Sequence, residues 1–167
     1  MSPEEGLLVN YRNLEPKDDM AIAEIIRKNL EKVGLNIPGT AYFDKELDHL
    51  SAYYGCAPEK RAYFVALDEN GNVAGGVGIA EFPLLDGCAE LQKLYLSDGE
   101  KGKGLGRALA ELALKQAEKL GYHRVYLETH TCLGTAVHLY EKLGFRQIDR
   151  PSGVLHSTMN LFFLKEL

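Results

Sequence analysis

The stretch KGKGLGRALAELALKQAEKLG, residues 101–121, decides the fold class because a glycine-rich turn opens a strongly amphipathic helix. Its apolar side chains recur at helical spacing and predict a helix over 104–120, and Gly121 supplies the left-handed position at which helices commonly end. β-rich runs lie on either side, at 89–96 and 124–129. A strand, a helix and a strand in this order predict a right-handed crossover whose two strands are parallel.

An antiparallel meander is predicted before this unit. The runs 61–68 and 73–82 flank the pair Asn70-Gly71, which is a strong hairpin signal, and the strand at 89–96 follows a further turn. The other predicted elements are a strand at 7–13, a helix at 16–34, a weaker helix at 44–54, a short helix at 135–143, and strands at 145–148 and 159–164. The fold class is therefore α/β (α+β), a mixed and mostly antiparallel sheet of about six to seven strands flanked by about four helices.

Length and composition exclude several classes of protein. The length of 167 residues indicates a single domain over 1–167, because one hydrophobic core usually serves chains of this size. A composition of 46% hydrophobic and 26% charged residues is globular and excludes disorder and fibrous repeats. The net charge of -5 has the wrong sign for a protein that holds nucleic acid or anionic lipid by bulk electrostatics. No nucleic-acid partner is expected, and an anionic ligand must be held locally.

The cysteines and the amino terminus bear on location. Cys56, Cys88 and Cys132 are too few and too scattered for a disulfide framework, and they have no CxxC or Cys/His metal spacing. Residues 1–6 lack the basic start and apolar stretch of a signal peptide, and no apolar run approaches the roughly 18 residues that a membrane span needs. These observations predict a cytoplasmic protein with no membrane partner.

The glycine-rich turn at 101–107 stands where phosphates bind. Glycines let a backbone approach a ligand closely, and the first N–H groups of a helix have no intrahelical partners, so several can converge on one anion. The turn contains Lys101, Lys103 and Arg107 and no acid, a local charge of +3. It is neither a P-loop, because no Ser or Thr follows Gly102-Lys103, nor a dinucleotide fingerprint, because Arg107 stands where a third glycine is needed. The alternative is a loop that merely needs positive φ.

Two separated motifs carry a family resemblance. The first has the form Arg/Gln-x-x-Gly-x-Gly/Ala, with Lys101, Gly104 and Gly106 in the fixed places. The second is AVHLYEKLGF at 136–145, which matches A-x-x-L-Y-E-K-x-G-F. In this order they resemble the GNAT superfamily of acyl-CoA-dependent N-acetyltransferases, and the resemblance extends over residues 65–145 and more loosely to both ends. Lys101 departs from the usual Arg or Gln: it keeps a positive charge but loses the planar donors.

The resemblance implies a GNAT fold in which a splay between the fourth and fifth strands admits the pantetheine arm of the cosubstrate acetyl-CoA. It implies that the glycine-rich turn binds the coenzyme A diphosphate, and that the backbone at 94–96 pairs with pantetheine and polarises the thioester carbonyl. The cofactor-binding residues so implied are Leu94, Tyr95, Leu96, Lys101, Gly102, Lys103, Gly104, Leu105, Gly106 and Arg107. Leu133 stands where many members have an Asn that contacts coenzyme A, so one ligand contact is expected to be weaker.

Tyr140 is the candidate general acid. Helix periodicity places it on one face with Ala136 and Leu143, and periodicity alone would make it a core tyrosine. In many members of the family the matching tyrosine gives a proton to the leaving coenzyme A thiolate. A phenol with a reference pKa of about 10 is protonated at neutral pH, so the resemblance implies this role for Tyr140.

Glu90 is the candidate base. We predict that it shares one face of its strand with Gln92, Leu94 and Leu96. A central strand carries a carboxylate where that face opens to a cleft, or where the strand end reaches solvent. Its position eleven residues before Lys101 matches a carboxylate that some family members use to deprotonate the amine, usually through water.

The energetics of proton transfer limit the role of Glu90. A carboxyl of pKa about 4.3 that takes a proton from an ammonium of pKa about 10.4 works uphill by about six units, or roughly 8 kcal/mol. The amine must enter with a lowered pKa, burial must raise the pKa of Glu90, or water must relay the proton. Glu81, at the end of the preceding strand, is an alternative base or an anchor for the ammonium.

The predicted activity is acetyl transfer from acetyl-CoA to a primary amine by direct attack, with no cysteine intermediate. The acceptor is a small-molecule or peptide amine, and the acidic net charge favours a cationic one. The alternative is a non-catalytic module of the same fold that binds acyl-CoA as a sensor or partner domain. Homodimerisation is left open.

Acceptor specificity is expected from the first two helices and from the loops at 37–44 and 151–156. Four aromatic residues there either line an acceptor pocket or belong to the core: Tyr42, Phe43, Tyr53 and Tyr54. His130 and His138 have no second ligand at metal spacing, so no metal is expected.

Overall fold

A computed structural model describes residues 10–154 and 157–167 of the chain. The strands are β1 (Asn10–Asn13), β2 (Ala62–Leu67), β3 (Val73–Glu81), β4 (Cys88–Leu96), β5 (Arg124–Thr129), β6 (Arg146–Ile148) and β7 (Leu161–Glu166). The α-helices are α1 (Asp19–Lys32), α2 (Leu50–Gly55), α3 (Leu105–Lys119) and α4 (Gly134–Lys142). Within the described residues, seven strands form one mixed sheet in the order β1-β2-β3-β4-β5-β7-β6. The predicted fold class is confirmed.

The strand pairing follows the predicted pattern. β2 and β3 form the hairpin, which a hydrogen bond from Asp68 N to Asn72 O (2.8 Å) closes, and β4 completes the antiparallel meander. β4 and β5 are parallel, whereas the other strand pairs of the described residues are antiparallel. The helix α3 is therefore the crossover between the two parallel strands.

Most element boundaries shift by no more than three residues, as in the helix predicted at 16–34, and two elements differ in other ways. The helix expected over 44–54 is a 3-10 turn at Leu47–His49 followed by α2, because His49 leaves the helical region with φ of -137° and ψ of 41°. The strand expected over 7–13 is described from Asn10 onward, and residues 7–9 lie outside the described ranges.

Helices cover both faces of the sheet. One core, which we call the α3 core, includes Leu105, Leu109, Leu127, Tyr140 and Phe163. The other, the α1 core, includes Ile22, Ile26, Tyr54, Tyr63 and Val65. Successive residues of a strand point to opposite faces, and in β2 Ala66 packs in the α3 core while Val65 packs in the α1 core.

A β-bulge interrupts this alternation in β4. Between the pairs Gly78–Gln92 and Gly76–Tyr95, β4 has two residues where β3 has one. The first of the two, Lys93, takes a positive φ of 50°. An extra residue in one strand of a pair moves every later side chain to the opposite face.

The bulge corrects the predicted face of Glu90. Leu94 and Leu96 pack against the α3 core, as Leu91 does before the bulge. Gln92 instead reaches the α1 core, where it contacts Tyr54. The prediction that Glu90 shares a face with Leu94 and Leu96 is therefore wrong. Gln92 does lie on the same face of the sheet as Glu90, as predicted.

β4 and β5 separate after three residue pairs. Their parallel pairing begins at Cys88 with Arg124 and ends at Glu90 with Tyr126, although β4 runs on to Leu96. Beyond Glu90, the edge of β4 that faces β5 has no strand beside it within the described residues. We call this opening the β4–β5 gap, and Glu90 lies at its base.

Candidate active site

The glycine-rich turn before α3 has open space around its glycines. Gly102 and Gly104 adopt left-handed φ angles of 82° and 80°, and a Cβ atom on either would meet no atom of the described residues within 4 Å, apart from those of its chain neighbours. Gly104 is the N-cap of α3, and no side chain of the described residues caps this helix. Because the first N–H groups of a helix have no intrahelical acceptor, the turn has the properties of an anion-binding loop.

The positive charge of this turn is less available than the sequence suggested. Lys101 Nζ lies 3.0 Å from Asp98, Lys103 Nζ lies 3.6 Å from Glu100, and Arg107 Nε lies 3.0 Å from Glu111. The count of +3 over 101–107 omits these carboxylates, which stand just outside the window. An anion would have to compete with them for the three side chains, so the backbone N–H groups are the more dependable part of the turn.

The backbone of β4 along the gap is held from the α1 side. Tyr63 Oη donates to Lys93 O (2.9 Å), and Asn29 Nδ2 donates to Leu96 O (2.8 Å). Leu94 and Tyr95 lie between these two anchors. The structure thus places the three residues expected to meet pantetheine, 94–96, along the gap and fixes both ends of that segment.

Tyr140 lies in the α3 core rather than in the open gap. Its side chain is 6% exposed and packs against Phe145 and Phe163, with ring centroids 5.9 and 6.3 Å away. Burial raises the pKa of Tyr140 well above the usual value, and Tyr95 adds to the effect. The phenol is therefore protonated throughout the physiological pH range, which a general acid requires.

Glu90 faces the α1 side of the sheet, opposite to Tyr140, and lies where the pairing of β4 with β5 ends. Burial raises the pKa of the Glu90 carboxyl to about 7; the bond from Gln92 Nε2 (2.6 Å) opposes this rise, and Glu128 adds to it. Lys93 and Asp44 have smaller, opposing effects. Of the three routes considered for proton transfer, the structure supports the one in which burial raises the pKa of Glu90.

Glu81 is already engaged. Arg61 Nε donates to both carboxylate oxygens of Glu81, at 3.1 and 2.9 Å, and this pairing lowers the pKa of the carboxyl. Arg61 also stacks on the ring of Tyr53. A carboxylate held by a guanidinium is a weak base, so the geometry favours Glu90 over Glu81.

A cavity of about 370 Å³ opens beside Glu90. It is lined by Gly39, Thr40, Phe43, Asp44, Phe82, Glu90, Glu128, Val154 and Ser157. Among the described residues, this lining has three carboxylates and no Lys or Arg, and we call it the acidic cavity. Neutral groups hold Glu128, since Tyr126 Oη and Ser157 Oγ donate to it at 2.8 and 2.6 Å. Asp44 forms an ion pair with Lys93 Nζ at 2.6 Å, and Lys93 does not itself line the cavity.

Sequence reasoning missed Asp44 and Glu128. Glu128 carries the same signal that singled out Glu90, a carboxylate within a strand whose neighbours are apolar, because Val125, Tyr126 and Leu127 precede it. Asp44 carries no such signal, since it lies in a loop. Only the folded chain brings both to Glu90.

The predicted acceptor aromatics divide between cavity and core. Phe43 lines the acidic cavity, whereas Tyr54 is part of the α1 core and Tyr42 and Tyr53 pack against it. His130 Nδ1 accepts a hydrogen bond from Cys132 N at the start of a short turn. In residues 10–154 and 157–167, no group of three His, Cys, Asp or Glu side chains is arranged to hold a metal ion. No helix of the same ranges has the length and hydrophobicity of a membrane span.

Comparison with known proteins identifies the family. The model of the acetyltransferase (GNAT) family matches residues 26–145. The uncharacterized N-acetyltransferase YjgM of Escherichia coli (strain K12) is 40% identical over 162 residues, which cover 93% of each chain. The chain therefore belongs to the GNAT acetyltransferase family, and it is an acetyltransferase.

Solved structures share the fold. A GNAT-family acetyltransferase from Staphylococcus aureus Mu50 has a TM-score of 0.83 at 18% identity and covers 95% of this chain and 99% of its own. A phosphinothricin acetyltransferase from Sinorhizobium meliloti, solved in complex with AcCoA, has a TM-score of 0.73 at 25% identity and covers 96% of this chain and 89% of its own. The fold that the two sequence motifs implied is confirmed.

Proposed function

We propose that the chain transfers the acetyl group of acetyl-CoA to a cationic primary amine that binds in the acidic cavity. The observation that carries this proposal is the position of Glu90, which lines the cavity, lies at the base of the β4–β5 gap and has a pKa raised to about 7. A carboxylate whose pKa is close to the working pH is suited to take a proton from an amine and to release it again.

The chain fits acetyl-CoA at two places. The turn at 101–107 offers backbone N–H groups for the diphosphate, and its glycines leave room in front of them. The free edge of β4 at 94–96 offers main-chain groups along which pantetheine would add like a strand. The complex of the Sinorhizobium meliloti relative with AcCoA supports this assignment. Acetyl-CoA supplies the activated thioester, and a β4 backbone N–H would stabilise the oxyanion that forms on it.

The proposed reaction forms a C–N bond and breaks a C–S bond. The amine nitrogen attacks the thioester carbonyl carbon, and the coenzyme A thiolate leaves. Glu90 takes the proton that the ammonium must lose before attack, directly or through water. Tyr140 gives a proton to the thiolate. The nitrogen loses a second proton after attack, and this proton restores the phenol of Tyr140. The products are the N-acetyl amine and coenzyme A.

The raised pKa of Glu90 makes the first proton transfer easier. The pKa difference between Glu90 and an ammonium of pKa about 10.4 falls from about six units to about three, so the cost of proton transfer falls from roughly 8 to roughly 5 kcal/mol. Glu128 attracts the ammonium, whereas Lys93 already pairs with Asp44. Because Glu128 also favours the charged form of the amine, we expect a water molecule to relay the proton as attack proceeds.

An amine panel tests the proposal. Acetylation, followed by thiol release and mass detection of products, should be fastest with diamines and polyamines and slower with zwitterionic or anionic amino acids. Glu128→Gln should raise the KM for a diamine by about tenfold, whereas Glu118→Gln on the exposed side of α3 should leave it unchanged. Equal rates for acceptors of every charge would contradict the cationic acceptor.

Binding without turnover is the outcome that would favour the alternative. If acetyl-CoA stabilises the chain but no amine yields product, the chain is an acyl-CoA-binding module rather than a working enzyme. If millimolar acetyl-CoA has no effect on thermal unfolding, neither reading holds. A cytoplasmic location stays a prediction, and homodimerisation stays open.

A further inference from the structure

Glu90 ends a chain of hydrogen bonds that starts on α2. Tyr54 Oη donates to Gln92 Oε1 (2.6 Å), and Gln92 Nε2 donates to Glu90 Oε1 (2.6 Å). The other oxygen, Glu90 Oε2, has no hydrogen-bond partner among the described residues. Since Glu90 lines the acidic cavity, this second oxygen is the one available to a ligand.

The ring of Tyr54 is fixed by its packing as well as by this bond. It is buried in the α1 core and lies against Tyr53 and Tyr63, with ring centroids 4.9 and 5.1 Å away. Gly78 pairs with Gln92 across the sheet, and a Cβ at Gly78 would overlap the Tyr54 hydroxyl. The glycine therefore leaves the space through which Tyr54 reaches Gln92.

The amide of Gln92 has two orientations, and its neighbours select one. An amide oxygen only accepts and an amide nitrogen only donates. In the observed orientation, the amide oxygen accepts from the Tyr54 hydroxyl and the amide nitrogen donates to a charged Glu90. The reverse orientation would set the amide oxygen against a carboxylate oxygen and would leave the buried Tyr54 O–H without an acceptor among the described residues.

We propose that Gln92 and Tyr54 are positioning residues for the proton acceptor Glu90. The Tyr54 hydroxyl fixes the Gln92 amide, and the amide N–H holds one oxygen of Glu90 so that the other oxygen faces the amine in the cavity. The inference rests on the proposed function of the acidic cavity and adds to it two residues that do not themselves line the cavity.

The groups that face Glu90 come from four parts of the chain. They are Cys88 and Lys93 on β4, Tyr126 and Glu128 on β5, Asp44 in the loop before α2, and Tyr53 and Tyr54 on α2. Replacing Tyr54 or Gln92 by an uncharged residue leaves every charge of this set in place. A change in titration would therefore report the hydrogen bonds and not the surrounding charges.

The first test is the pH dependence of kcat/KM in Tyr54→Phe. Glu90 works as a base when it is ionised, so activity is lost as pH falls through its pKa of about 7. Loss of the Tyr54 hydroxyl frees the amide to rotate, weakens the bond that favours the carboxylate and raises that pKa. The acid limb should move up by about one pH unit, with the rate at high pH close to the native rate. A uniform fall at every pH would overturn the proposal.

A control, a second single variant and a double variant make this test specific. Tyr122→Phe is the control, because it removes a hydroxyl that hydrogen-bonds to Lys60 O and not toward Glu90, and it should leave the profile unchanged. Gln92→Met should shift the acid limb in the same direction as Tyr54→Phe. Tyr54→Phe introduced into Gln92→Met should add no further shift, because Tyr54 acts through Gln92. Additive shifts would contradict the chain of bonds.

A direct titration separates this inference from the proposed function. The Glu90 carboxyl can be followed by carbon-13 NMR in glutamate-labelled protein, with its signal assigned by its absence in Glu90→Gln. Its midpoint should rise in Tyr54→Phe and Gln92→Met, whether or not the chain acetylates any amine. A shifted midpoint without turnover would uphold the positioning role and overturn the proposed function. An unshifted midpoint in an active enzyme would overturn the positioning role alone.

Discussion

Tyr140 combines a core position with a candidate catalytic role. Its side chain is buried against Phe145 and Phe163, yet no residue of the described ranges hydrogen-bonds to its hydroxyl. The hydroxyl oxygen itself is not fully enclosed, because Arg124 Nε is the one fully buried side-chain nitrogen or oxygen of the described residues that lacks a partner. Tyr95, which lies along the β4–β5 gap, is near enough to influence its pKa. The hydroxyl is thus suited to a partner that arrives with the cosubstrate.

Tyr140→Phe is expected to lower kcat about 100-fold while acetyl-CoA affinity and thermal stability stay nearly unchanged. The stability is unaffected because the lost hydroxyl has no partner in the described residues. Steady-state kinetics measures kcat, calorimetric titration measures acetyl-CoA affinity, and thermal unfolding measures stability. Tyr11→Phe, on the outer strand β1, is a control that should behave like the native chain. An unchanged kcat would remove Tyr140 from the mechanism.

Single residues also show where sequence reasoning stops. Glu90 could be singled out because a carboxylate in a central strand needs a reason to be there. The same argument would have found Glu128, but not Asp44, whose place beside Glu90 depends on how a loop folds back. The charge of +3 counted over 101–107 overestimates the free positive charge of the turn, because Asp98, Glu100 and Glu111 lie just outside that range and pair with its cations.

At the scale of elements, periodicity predicted nearly every helix and strand but not the bulge in β4. Strand positions follow from β-rich runs between turns, and the hairpin follows from Asn70-Gly71. The bulge has no comparable signal, because its left-handed residue is Lys93 rather than glycine. Since one inserted residue reverses the faces of all that follow, the side chains at 94–96 could not be assigned from alternation.

Gly78→Ala tests how closely α2 packs on the sheet. The added Cβ would overlap the Tyr54 hydroxyl and lie 2.9 Å from Tyr63 Cδ2, and rings buried in a packed core have little room to move. We expect the free energy of unfolding, measured by urea titration, to fall by about 1–3 kcal/mol. Gly99→Ala, whose Cβ would meet no atom within 4 Å, should change it far less. Equal effects of the two substitutions would contradict this close packing.

At the scale of the whole molecule, ligand binding and fold stability are linked. A ligand that binds only the folded chain stabilises it by about 2.7 kcal/mol at 100 times its dissociation constant. For a chain of this size that raises Tm by about 5–10 °C. The net charge of -5 opposes an anionic ligand at long range, but the groups that meet it lie within the screening length of about 8 Å.

Gly104→Val should abolish the rise in Tm that acetyl-CoA causes, because a side chain would stand where the diphosphate approaches the backbone. Gly121→Val is the matched control, since Gly121 has a similar φ of 92° and equally open surroundings at the other end of α3. Both variants should lower the Tm of the free protein by similar amounts, but only Gly121→Val should keep the response to ligand. A retained response in Gly104→Val would refute the phosphate-binding assignment.

The β4–β5 gap also has a consequence for how these molecules behave in a crowded solution. A bare strand edge normally invites another chain to pair with it and begins aggregation. β4 carries its bare edge in the middle of the sheet rather than at the rim. A foreign strand would need room above and below this opening, where Leu94 and Leu96 pack against the α3 core and Tyr95 packs against the α1 core. We therefore expect this edge to resist pairing with another polypeptide strand, although its main-chain groups are unpaired.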